Sequence, residues 1–146
     1  MKKIAVIVIG LIAALMLAYM SLPRAAPRPP EYLSKLGPEL GVTFPPNTRL
    51  VGVRRENGMD DWIGAKVEMD ARDWPAFLAS TPLDELHIGP GDGGHFGPDQ
   101  AFWDPNSHHD LRSGQVWLEK EFRALNIGVA AIGESRIAVY IVNHGT

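Results

Sequence analysis

The chain has 146 residues, with 14 Lys and Arg against 17 Asp and Glu, for a formal charge of −3. Hydrophobic residues at 45% and charged residues at 21% describe a globular rather than a disordered composition, and the lack of a basic surplus argues against a nucleic-acid partner. There is no cysteine, which excludes disulfides, thiolate metal sites, a Cys nucleophile and a cysteine-linked lipid anchor.

Residues 4–20 read IAVIVIGLIAALMLAYM, 17 positions without a charge, behind Lys2 and Lys3. A helix of that length spans roughly 25 Å at about 1.5 Å per residue. Extension to Leu22 brings it close to the ~30 Å hydrocarbon core of a bilayer. Tyr19 falls near the far end, where an amphipathic ring suits the interface. The run exceeds the apolar stretch of about 7–15 residues usual in a cleaved signal peptide. The cleavage sites are also poor: Ala18-Tyr19-Met20 ends on a large residue, and Arg24-Ala25-Ala26 puts a charge at −3 with Pro27 after the cut. An uncleaved signal anchor over residues 1–22 is therefore predicted, with a secreted chain as the outcome if the segment is removed. A short basic N-terminus stays in the cytoplasm, which places the remainder on the extracytoplasmic side of the cell membrane, as in a bacterial envelope protein.

Residues 23–30, PRAAPRPP, hold four prolines and favour an extended spacer of roughly 25 Å. Removing residues 1–30 takes away four basic residues and no acid, leaving 116 residues with 10 basic against 17 acidic and a formal charge of −7. Residues 31–146 are expected to form one modest extracytoplasmic domain, repelled by anionic lipid and by nucleic acid.

Within that domain, Pro30–Gly37 is predicted as a short helix, opened by proline and closed by glycine. Leu50–Arg55 and Trp62–Met69 form a hairpin about Asn57-Gly58. Alternation in the second strand puts Ile63, Ala65, Val67 and Met69 on one face and Trp62, Gly64, Lys66 and Glu68 on the other. Asp73 is expected to cap a helix through Trp74–Ala79, and Thr81-Pro82 to start another. Residues 89–107, GPGDGGHFGPDQAFWDPNS, carry five glycines and three prolines and are predicted as a long loop without regular structure. Val116–Phe122 is predicted as a strand. Leu125–Ile132 and Arg136–Val142 form a last hairpin, whose second strand is apolar enough to lie centrally. The fold class is α+β: a twisted antiparallel sheet of about five strands, with short helices packed on one face, preceded by one N-terminal transmembrane helix.

The chemistry-bearing residues cluster in the loop. His87, His95, His108 and His109 interleave with Asp92, Asp99, Asp104 and Asp110, while His144 lies apart. The spacing matches neither HExxH nor an EF-hand, and adjacent His108 and His109 would point apart in a strand. No serine has a GxSxG context, and the Gly-rich run lacks GK[ST]. The pairs Asp84-Glu85 and Glu119/Glu121 are solvated surface by composition, although the latter would share a strand face. No catalytic residue, metal ligand or cofactor is assigned.

The loop aromatics are more informative. Phe96, Phe102 and Trp103 in a flexible polar loop either pin it to the core or, with Arg112, form a recognition patch. The patch is the site predicted here. Together these readings point to a membrane-tethered binding or protective module, inhibitor- or immunity-like, with a protein partner. The alternatives are a metal-dependent hydrolase using His95, His108 or His109 with nearby aspartates, and a structural subunit of a membrane complex.

Overall fold

Alternation along Trp62–Asp70 sets the frame of the domain. Ile63, Ala65, Val67 and Met69 are all buried in one apolar cluster with Leu50, Leu125, Ile127, Val129, Val139 and Ile141. Side chains of a strand alternate between faces, so one set of residues builds a shared core while the intervening set builds the opposite face. The computed structural model describes residues 30–56, 61–91 and 96–145. The signal anchor and spacer predicted over residues 1–29, and the Asn57-Gly58 turn, lie outside them. Among the described residues no helix is long and apolar enough to cross a membrane.

The described residues form a six-stranded antiparallel sheet with few short helices, an α+β fold. Strands β1 (Arg49–Glu56), β2 (Trp62–Asp70), β3 (Gly89–Pro90), β4 (Arg112–Leu118), β5 (Arg123–Ala131) and β6 (Arg136–Gly145) run in the order β1-β2-β6-β5-β4-β3. The extra strand over the expected five is the two-residue β3, which pairs with Arg112 and Ser113 at the start of the loop predicted to be irregular. β6 is central and covered on both faces, with Ala138–Asn143 buried throughout.

Helix α1 (Pro30–Leu40) runs past the glycine expected to stop it. Gly37 instead allows close approach, since a Cβ there would stand 2.6 Å from the Val42 carbonyl oxygen. The helix ends at Gly41, whose φ of +74° permits the closing bonds from Gly41 N to Pro38 O (3.3 Å) and Val42 N to Gly37 O (3.0 Å). Leu33, Leu36 and Leu40 join the first cluster, as do Trp74, Phe77 and Leu78 of α2 (Trp74–Leu78). Asp73 stands at the cap position of α2, but its side chain makes no cap bond. The second helix start expected at Thr81-Pro82 becomes a 3₁₀ turn, Glu85–His87, capped by the Asp84 carboxylate at 2.9 Å from Leu86 N and 3.2 Å from His87 N.

The predicted strand Val116–Phe122 is displaced toward the N-terminus. β4 ends at Leu118, Glu119–Glu121 form a 3₁₀ turn, and Phe122 reverses the chain in the left-handed region with φ 50°. Glu119 and Glu121 are therefore exposed turn residues and share no strand face.

Candidate functional site

The second face of the sheet is covered by the loop Phe96–Leu111 instead of by helices. Phe96, Trp103 and Leu111 pack there against Ala130, Ala138, Tyr140 and Val142. Phe96 and Trp103 are fully buried, so neither offers a surface to a partner. The Trp103 indole N–H donates to the Phe96 carbonyl at 2.7 Å, closing the loop on itself. Its ring stands edge-on to Tyr140 at 5.5 Å and to Trp62 at 5.7 Å. Phe102 is half-buried over β1, where Gly52 admits it: a Cβ at Gly52 would meet the ring at 2.5 Å.

Arg112 does not join them. It is opposite Val129 of the first cluster, so its side chain leaves the other face of the sheet. There it donates to Glu85 at 2.9 Å, and Glu85 also accepts from the Trp74 indole at 2.5 Å. These two bonds, Trp74 first and then Arg112, hold the Glu85 carboxyl below its ordinary range. The four residues expected as one patch thus divide between two cores and two faces.

Under the loop lies a polar cluster that sequence spacing does not reveal. Lys66, 8% exposed, forms an ion pair with Asp104, whose carboxylate also accepts from the Tyr140 hydroxyl at 2.6 Å. The Lys66 ammonium lies 5.3 Å from the Tyr140 ring centroid. Partial burial pushes the Asp104 carboxyl up, but the bonds from Lys66 and Tyr140 outweigh it and leave the pKa lowered. Burial, reinforced by the Asp104 carboxylate, raises the Tyr140 phenol well above its usual value. A neutral phenol donating to an ion-paired carboxylate fastens the loop; it is not poised as a base.

The other described loop acids have structural partners. Asp99 accepts from Asn106 N at 3.0 Å, Asn106 Nδ2 at 3.0 Å and Ser107 Oγ at 2.8 Å. Asp110 accepts from Ala131 N at 2.9 Å. His108 lies tilted against Tyr140 at 5.9 Å, His109 is exposed, His87 pairs with Asp84 at 2.7 Å, and Asp92 and His95 lie outside the described residues. Among the described residues, no group of three or more His, Cys, Asp and Glu converges on a point.

So fastened, the loop turns through Gln100–Trp103 and presents Gln100 and Ala101 to solvent. Its ends are bridged backbone to backbone, and Ala101 takes φ 38°, a left-handed conformation that costs a non-glycine residue about 1–2 kcal/mol. Pro98, Gln100 and Ala101 are exposed around this crest.

The loop stops short of one end of the second face, where Ala124 is still buried, Trp62 and His144 are half-buried and Trp117 is exposed. Glu56, Trp62, His144, Ala124 and Trp117 stand opposite one another in a single row across five strands. Trp117 is 44% exposed at one end of this row, and Phe122 in the adjoining turn is 68% exposed. Val116-Trp117-Leu118 carried the signal for Trp117, because two of three consecutive apolar residues in a strand must face opposite ways. Nothing in the sequence marked Phe122. No family model, curated protein or solved structure matches this chain.

Proposed function

We propose that the chain is a membrane-tethered, extracytoplasmic binding or protective module that recognises a protein partner through the crest of its 96–111 loop. The observation that carries this reading is the crest itself. A turn with a left-handed alanine is displayed on a loop that is fastened by buried Trp103, by the Lys66–Asp104–Tyr140 cluster and by Asp99. Backbone strain of this kind persists only where the surroundings over-determine it, and rigid presentation reduces the ordering cost of association. Recognition residues concentrate on loops held by a rigid scaffold. The membrane tether rests on the apolar run Ile4–Met20 and the proline spacer.

The test is site-specific photocrosslinking of the full chain in its native membrane. A benzophenone side chain at exposed Gln100 is expected to capture one discrete protein. The same group at exposed Glu134, in the β5–β6 loop, serves as the control. Equal capture at both positions, or none at Gln100, refutes the reading.

A further inference from the structure

We infer that the end of the sheet at which β4 turns into β5 rests on the surface of the bilayer that holds the anchor, with Trp117 and Phe122 seated at the lipid–water interface. This deepens the proposed function and depends on its membrane tether. The first support is the place where the chain enters the domain. The Arg55 guanidinium hydrogen-bonds the Tyr32 hydroxyl, two residues after Pro30, and also pairs with Glu39. Arg55 is opposite Ile63, the residue after Trp62, so α1 lies over the first face at the same end of the sheet as the row from Glu56 to Trp117, and both its first and last turns reach that end. The spacer reaches roughly 25 Å at most as an extended polyproline chain. That end of the domain is therefore the one held nearest the head groups.

The second support is the chemistry of the end itself. Trp117 and Phe122 are exposed at 44% and 68%, and Phe122 is held in the left-handed region by the turn that displays it. Aromatic side chains favour the interface of a bilayer, where one edge meets acyl chain and the other water. Glu119, Lys120, Glu121 and Arg123 around them carry balanced charge. The surface therefore suits zwitterionic lipid through its rings and gains nothing from an anionic leaflet.

Tryptophan fluorescence tests this directly, because all four tryptophans (Trp62, Trp74, Trp103 and Trp117) lie in the domain and none in the anchor. The full chain is reconstituted in phosphatidylcholine vesicles, with or without acyl chains brominated near the head group. The expected result is a loss of emission with brominated lipid that disappears in Trp117→Phe and shrinks in Phe122→Ser, with near-UV circular dichroism unchanged. The loss should persist in nanodiscs holding one chain each and should not grow when phosphatidylglycerol is added. Quenching that survives Trp117→Phe overturns the inference. So does an absence of quenching in a chain that floats with the vesicles. A loss seen only with several chains per disc assigns the patch to a second copy and also overturns it. Failure to float with the vesicles refutes the tether itself, and this inference with it.

Discussion

Breaking the Lys66–Asp104 pair should give unequal losses depending on which partner is removed. The Lys66 side chain is 10% exposed and that of Asp104 37%. Asp104→Asn keeps the shape and an acceptor for Tyr140, but it strands a buried ammonium. Such an uncompensated charge costs about 3 kcal/mol. Lys66→Met leaves a carboxylate that is one-third open to water and still bonded to Tyr140 at 2.6 Å. Its expected cost is about 1 kcal/mol. For a domain of this size about 4 °C of Tm accompanies each kcal/mol, so the losses are roughly 12 °C and 4 °C. The double variant has no buried charge and should melt near Lys66→Met, not at the sum. The assay is thermal melting of the full chain followed in the near-UV, where Trp103 and Tyr140 report the loop. Equal losses for the two single variants, or additivity in the double, would refute the claim that the loop is fastened by an anion brought to a buried lysine.

Three further outcomes follow from the same geometry. The Tyr140 phenol is raised by burial and by Asp104, so its contribution is complete below the ordinary value of about 10 and is lost as pH rises beyond it. Tyr140→Phe should accordingly flatten the fall of urea midpoints between pH 9 and 11, and an unchanged slope would contradict this. Phe122→Gly relieves a left-handed φ of 50° and should raise Tm by about 4 °C, or about 1 kcal/mol; a decrease would show that the ring holds the turn. Asn126 is 1% exposed and both of its amide atoms lack a hydrogen-bond partner. Asn126→Leu should therefore raise the urea midpoint, by about 2 kcal/mol of stability, and a lower midpoint would reveal a bond made in solution.

The hairpins were legible because alternation assigns every residue a side. Ile63, Ala65, Val67 and Met69 fell on the core face as expected, and the apolar run of β6 announced a central strand. Helix and strand ends were not legible, because they depend on single φ angles. Gly37 and Gly41 are equally good stops by composition, but only Gly41 adopts positive φ, while Gly37 remains inside the helix with Pro38. The end of β4 is set by Phe122 in a left-handed conformation that an aromatic residue does not advertise. Arg112 stands next to the loop in sequence, and only the register of β4 reveals that it leaves the opposite face. The aromatics Phe96 and Trp103 were ambiguous for an energetic reason. Burial of a ring stabilises to the same degree whether a core or a partner covers it, so sequence identifies the need for cover without identifying its source.

Covering the second face with a loop is an expensive solution for a small domain. An amphipathic helix would satisfy its own backbone and bury the same rings. The loop instead requires a buried lysine, its counter-ion and a left-handed alanine. What the loop adds is a crest over Gly52 on β1, about four strand spacings or 19 Å from Trp117 on β4. If both proposals hold, partner contact and membrane contact fall at separate places on the domain, and substitutions should separate them. With the photocrosslinker kept at Gln100, a charge beside it, Pro98→Arg, should abolish capture and leave quenching by brominated lipid intact. Phe122→Ser, which keeps the Trp117 reporter, should weaken that quenching and leave capture intact. A single substitution that disturbs both readouts would mean that the two places form one surface, and the division of labour between crest and Trp117 would fail.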